Sequence, residues 1–181
     1  MGQITVTQTG IDGLCVIAPS VHEDSRGYFM ETYNQKDMAE AGIDTVFVQD
    51  NQSKSSKGVL RGLHFQINFP QAKLVRAVAG AVFDVAVDLR KESATYGKWF
   101  GVELSADNKK QLYIPEGFAH GFLVLSDTAE FAYKVSDFWH PGDEAGFLWS
   151  SPEIGIDWPF PCEKSELIIS DKDKIWPEFT K

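Results

Sequence analysis

Cysteine is scarce in this 181-residue chain: Cys15 and Cys162 lie far apart and make no CxxC or zinc-binding spacing. Long apolar runs are missing, so nothing approaches the ~20 residues of a membrane-spanning helix. The opening Met1-Gly2-Gln3-Ile4-Thr5-Val6 has no basic region and no apolar segment of signal-peptide length. Val6 stands where a myristoylation signal would want Ser or Thr. The expectation is a cytoplasmic protein with no membrane partner. Positive charge is also in short supply, 17 Lys and Arg against 26 Asp and Glu, for a net charge of -9. That balance argues against a nucleic-acid partner, which needs a basic surface. A small anionic ligand stays compatible if a few basic residues are concentrated in one pocket. There is no internal repeat and no low-complexity linker, so one domain over residues 1–181 is expected.

What is present is a soluble globular composition, 43% hydrophobic and 24% charged. Short β-like runs recur between turn signals: Leu14 to Ile17, Gly27 to Tyr33, Val46 to Gln49 and Val59 to Phe65. Further runs are Leu74 to Ala79, Ala81 to Leu89, Trp99 to Leu104, Gln111 to Ile114, Gly121 to Leu125 and Ala129 to Val135. Many small strands with Gly, Asn and Pro between them predict a mainly β fold, a jelly-roll barrel or sandwich with a few short helices. Asn34 to Ala41 is the clearest helix, with Asn34 as its cap and Gly42 after its end.

In Val82 to Leu89, strand periodicity puts Phe83, Val85, Val87 and Leu89 on one face and Asp84, Ala86 and Asp88 on the other. The first face enters an apolar core. The second carries carboxylates into solvent or into a polar cavity; the solvated reading suits Asp88 better than mid-strand Asp84. From about residue 136 the spacing loosens around Trp139, Trp149 and Trp158, which reads as a tail laid over the barrel with its aromatics covering apolar surface.

Two glycine-bracketed stretches end on histidines, Gly58 to Gln66 with His64 and Pro115 to Gly121 with His120. They resemble the two motifs of the cupin family, which run Gly, five residues, His, one residue, His, then Glu and Gly, and later Pro-x-Gly-x-x-His. Here Gln66 stands in the place of the second His, Lys73 in that of the Glu, and Val124 in that of the trailing Asn. A cupin metal site needs neutral imidazoles and a carboxylate, whereas lysine at neutral pH is a cation with no lone pair. No metal is expected. An imidazole base facing an ammonium suits removal of a proton next to a carbonyl: histidine titrates near neutrality, and the ammonium answers the enolate oxygen.

A narrower resemblance covers nearly the whole chain. Asp24 to Phe29, Gln49 to Ser53, Val59 to Gln66, Val82 to Leu89, Gln111 to Leu125 and Gly155 to Pro159 are similar to the dTDP-4-dehydrorhamnose 3,5-epimerase family. The resemblance implies a jelly-roll homodimer without a cofactor, acting on a dTDP-sugar and inverting C3 and C5 beside its C4 ketone. It implies His64 as base, Tyr133 as acid and Asp173 as the partner that orients His64, with Asp171 the weaker candidate, while Lys73 is the ammonium already read as the cation for the enolate. It implies Arg26 and Arg61 as pyrophosphate ligands and Trp139 as the platform for the thymine. Glu31, Gln49, Asn51, Lys73, His120, Glu144 and Lys172 match positions that contact nucleotide or sugar.

Taken singly, each residue has a plainer role. Arg26 and Arg61 can be surface ion-pair partners, Tyr133 a core residue, His120 a strand-end histidine, and Asp173 one more carboxylate in a solvated run. Two departures from the family pattern stand out: a somewhat short Ile67 to Ala72 loop, and Gln52 where a histidine is usual. Either could alter sugar or nucleotide preference. Rival readings are a single C3 epimerase or a 3,4-ketoisomerase on the same scaffold, a non-catalytic sugar-binding cupin, and a metal-dependent cupin.

Overall fold

The computed structural model describes residues 3–161 and 163–181, so Cys162 lies outside it; Cys15 is buried with a free thiol. In chain order the first elements are β1 (Ile4–Gln8), β2 (Cys15–Pro19), β3 (His22–Asp24), β4 (Gly27–Phe29), α1 (Gln35–Glu40), β5 (Gln49–Ser56) and β6 (Val59–Gln66). There follow β7 (Lys73–Ala79), β8 (Ala81–Asp88), β9 (Trp99–Ser105), β10 (Gln111–Ile114), β11 (Phe118–Val124) and β12 (Thr128–Val135). The chain ends with β13 (Glu144–Gly146), a 3-10 turn at Lys164–Glu166, β14 (Ile168–Ile169) and α2 (Asp171–Lys174).

The expected mainly β jelly roll is what forms. One antiparallel sheet has the order β1-β2-β10-β7-β12-β5, and the second runs β13-β6-β11-β8-β9 with β14 parallel to β6. β3 and β4 make a separate hairpin. Asn34 caps α1 by accepting from the N–H groups of Lys36 and Asp37, and Gly42 follows at a left-handed φ of 83°.

Alternation in β8 accounts for both faces of its sheet. Val82 and Ala86 point between the sheets into a core with Leu104, Leu112, Phe122 and Phe131. Val85 and Val87 point outward and are covered by Ile154, Trp158 and Phe179 of the tail, with Phe83 and Leu89 packed alongside. Trp149 also packs here, whereas Trp139 is 59% exposed and covers none of this face. The reading of Asp88 as solvated is wrong: it is fully buried and accepts hydrogen bonds from the Arg90 backbone and guanidinium and from the Ser93 and Thr95 hydroxyls. Burial by itself would raise its pKa, but these donors outweigh it and hold the carboxyl well below the usual range.

The expected strand at Val46 to Gln49 is also displaced. Val46 and Val48 are exposed, and β5 begins at Gln49 and runs through the polar stretch to Ser56. Hydrophobic periodicity cannot mark such a strand. It lies at a sheet edge, and both of its faces are polar.

Candidate active site

A cavity of about 320 Å³ opens between the two sheets, in the range typical of small-ligand sites. Its wall shares the strands of the apolar core. His120 lies between Phe118 and Phe122 on β11, and Tyr133 lies two residues beyond Phe131 on β12, so the same inward-facing rows that fill the core turn polar here.

β6 supplies Arg61, His64 and Gln66 to the cavity. Residues three apart on a regular strand face opposite ways, so Arg61 and His64 can share a wall only if the strand is interrupted. The interruption is a bulge: His64 pairs with His120, while Arg61 pairs with Phe122, leaving one extra residue on β6. Two glycines permit it. Gly62 has φ 109°, and a Cβ there would sit 2.6 Å from the His120 carbonyl oxygen; a Cβ on Gly121 would sit 2.6 Å from that of Arg61.

His64 is held from the far end of the chain. Asp173 accepts a hydrogen bond from its Nε2 at 2.6 Å. α2 presents this carboxylate, with Ser170 capping the helix by accepting from the Asp173 N–H. Gly62 N–H and Trp176 Nε1 also donate to it, at 3.5 and 3.3 Å, and Asp173 is 2% exposed. Burial raises its pKa, and the His64 hydrogen bond and charge, with help from Ser170 and Gly62, lower it by more. Because a carboxylate only accepts, Nε2 carries the hydrogen, so in the neutral imidazole the lone pair lies on Nδ1. Glu144 Oε1 lies 3.7 Å from that Nδ1 and is itself paired with Lys172. Asp171 is exposed and bonds Lys174, so Asp173 and not Asp171 meets His64.

Behind His64 sits a second pair. His120 Nε2 donates at 2.9 Å to Asp84, which is fully buried behind the cavity lining, neither solvated nor itself part of the cavity wall. Burial pushes the His120 pKa down, with Asp84 opposing the shift. Lys73 lines the cavity with its pKa lowered to about 8, chiefly by burial, with Asp84 and Glu144 pulling it back up. The four cupin ligand places, His64, Gln66, Lys73 and His120, thus do converge. They do not fit a metal: one is an ammonium, and the Gln66 carboxamide is spent on backbone groups of two loops.

Tyr133 faces this group from the other sheet, on β12. Burial raises its pKa, the nearby Arg61 charge opposes and Glu144 adds to the rise, so the phenol keeps its proton. Arg61 meets only the Ser55 hydroxyl among the described residues, leaving its guanidinium free of carboxylates. Gln49, Asn51, Trp139, Glu144 and Lys172 complete the expected lining. Arg26 and Glu31 do not reach it within one chain: Arg26 is tied to Asp24 on the β3–β4 hairpin, and Glu31 bonds Asn34.

Ser53, Gln71 and Phe131 also line the cavity and were not anticipated. Ser53 had a signal, since Gln49, Asn51 and Ser53 share one face once β5 is placed correctly. Gln52 sits on the opposite face and donates to Glu130, which removes it from direct contact with anything in the cavity.

Comparison with known proteins places the chain in a family. The family model described as dTDP-4-dehydrorhamnose 3,5-epimerase matches residues 8–181. The epimerase of Methanothermobacter thermautotrophicus is 53% identical over 176 residues, covering 97% of this chain and 95% of that protein. The crystal structure of the Elizabethkingia anophelis epimerase superposes with a TM-score of 0.93 at 49% identity, covering 98% of this chain and 97% of that one. A Legionella pneumophila relative, solved in complex with dTDP-4-keto-L-rhamnose, superposes with a TM-score of 0.90 at 45% identity, covering 98% of this chain and 100% of that one. On the match over residues 8–181 and these identities, the chain belongs to the dTDP-4-dehydrorhamnose 3,5-epimerase family, isomerases of dTDP-L-rhamnose biosynthesis.

Proposed function

We propose that this cavity inverts C3 and C5 of dTDP-4-dehydro-6-deoxy-D-glucose, with His64 as the base and Tyr133 as the acid. The observation that carries the reading is that imidazole and phenol reach one cavity from opposing sheets. Inversion requires a proton to leave one face of the ring and another to arrive on the opposite face. His64 Nδ1 takes the proton, the electrons of the C–H bond pass into the C4 oxygen as an enolate, and Tyr133 protonates the carbon from the other wall. Lys73 is the cation set in advance for the enolate oxygen, in surroundings where burial strengthens its field. Asp173 keeps Nε2 protonated and stabilises the imidazolium once it forms. No cofactor is needed, because the substrate's own ketone acidifies both carbons.

Arg61 grips the pyrophosphate, and Trp139 stacks under the thymine, since any aromatic face serves. The Legionella complex supports a ligand of this class. Gln49, Asn51, His120, Glu144 and Lys172 contact the sugar or nucleotide around them. The working unit is a homodimer, in which the β3–β4 hairpin, with Tyr28 and Phe29 exposed, carries Arg26 and Glu31 to a second copy's cavity.

The test is incubation with the substrate in heavy water, followed by NMR and mass analysis of the sugar. Deuterium at both C3 and C5 is expected. Label at C3 alone would assign a single epimerase, and absence of label a binding protein.

A further inference from the structure

Trp139 is 59% exposed and joins none of the aromatic pairs among the described residues, so packing does not fix its indole. Its backbone, in contrast, is held closely. The segment from β12 to β13 that carries Trp139 is gripped on both sides of this residue by one side chain. Gln66, at the end of β6, accepts from the His140 N–H at 2.9 Å and donates to the Phe138 carbonyl at 3.2 Å. Its second amide hydrogen goes to the Phe69 carbonyl at 2.6 Å, tying in the loop that follows β6. Gln71, on that loop, donates to the carbonyls of Asp137 and Phe138 at 2.7 and 3.1 Å. Phe69 then stacks on the His140 ring with centroids 3.8 Å apart.

Gln66 is 7% exposed, so its amide has traded water for these partners and has no cheap alternative to them. A carboxamide is the side chain that can hold both peptide groups flanking Trp139, because it offers one acceptor and two donors in one plane. A histidine in this place, as in metal-binding cupins, would have at most one acceptor and one donor when neutral.

We infer that Gln66 is a positioning residue for nucleobase recognition: its carboxamide, by clamping the peptide groups on either side of Trp139, sets the indole as the platform on which the base stacks. The inference rests on Trp139 being that platform. It makes the residue that departs from the cupin metal set a determinant of nucleotide binding.

Calorimetric titration of wild type, Gln66→Met, Trp139→Ala and the double variant with dTDP, and of each with inorganic pyrophosphate, tests this. Gln66→Met keeps the length and loses the hydrogen bonds. Base–aromatic stacking contributes about 1–3 kcal/mol, so Trp139→Ala should weaken dTDP binding on the order of tenfold. Gln66→Met should weaken dTDP binding at least ~3-fold and leave pyrophosphate binding unchanged, and the double variant should be no weaker than Trp139→Ala alone. Gln71→Leu, a milder loosening of the same segment, should move dTDP affinity in the same direction if Gln66→Met fails to fold. If Trp139→Ala binds dTDP normally, the platform reading itself is wrong. If Trp139→Ala weakens dTDP but Gln66→Met does not, or weakens pyrophosphate equally, the platform stands and the role given to Gln66 is overturned.

Discussion

His64 and Asp173 stand 109 residues apart in the chain and meet at 2.6 Å between Nε2 and Oδ1. The contact joins β6 to α2, so the last helix holds the imidazole that we propose as the base. Replacing Asp173 with Asn keeps the shape but lets an amide hydrogen face Nε2, favouring the wrong tautomer. Single-turnover assays should show kcat falling on the order of 10²-fold or more, with a smaller change in KM.

The same pair makes a prediction about acid. The Asp173 carboxyl is held below its ordinary range when folded, so its contribution to stability is present above the unfolded carboxylate pKa of about 4 and is lost as pH falls through the folded value. Denaturant melts of wild type and Asp173→Asn should therefore differ at pH 7 and converge on acidification below pH ~4.

Tyr133→Phe removes the proposed acid from one wall and leaves the proposed base on the other. Exchange of the C3 and C5 protons with heavy water should continue, while net inversion falls by about 10²-fold or more. Full epimerase turnover in this variant would mean that another group is the acid.

Burial lowers the Lys73 pKa to about 8, against the pull of Asp84 and Glu144. The rate should have a basic limb near that pH as the ammonium at the enolate is lost, and Lys73→Met should abolish the limb along with most of kcat. Stability runs the other way. The unfolded chain keeps this proton up to about pH 10.4, so it binds more protons than the folded chain between the two values, and folding gains as pH rises. Thermal melts should find Lys73→Met more stable than wild type at pH 7, with the gap narrowing towards pH 10.

Gly121→Ala tests the bulge. The new methyl would lie 2.6 Å from the Arg61 carbonyl oxygen, which is backbone and cannot swing aside. A loss of about 1–3 kcal/mol is expected from urea melts, with His64 misplaced in whatever fraction folds.

Much of this was legible in the chain. Short β-like runs between turn signals placed β8, β12 and most of β11, and the two-residue repeat sorted the faces of β8. The cupin motif spacings brought His64, Lys73 and His120 together, the family resemblance added Tyr133, and the tail's aromatics pointed to a cover for apolar surface. Other features escaped a linear reading for definite reasons. β5 carries its information in polar side chains that face a cavity, so no hydrophobic signal exists to find it. Asp88 is polar by composition, yet three hydrogen-bonding neighbours close in sequence let it be buried.

The sequence by itself determined most of the strand pattern and placed an imidazole and an ammonium, rather than a metal-binding donor set, at the cupin ligand positions, since these depend on residue type and local spacing. Only the tertiary structure decided which carboxylate supports His64, how Arg61 and His64 come to share a wall, and what grips Trp139 from both sides. Those facts depend on a bulge and on contacts between segments far apart in the chain, and a one-dimensional pattern does not contain the distances that create them.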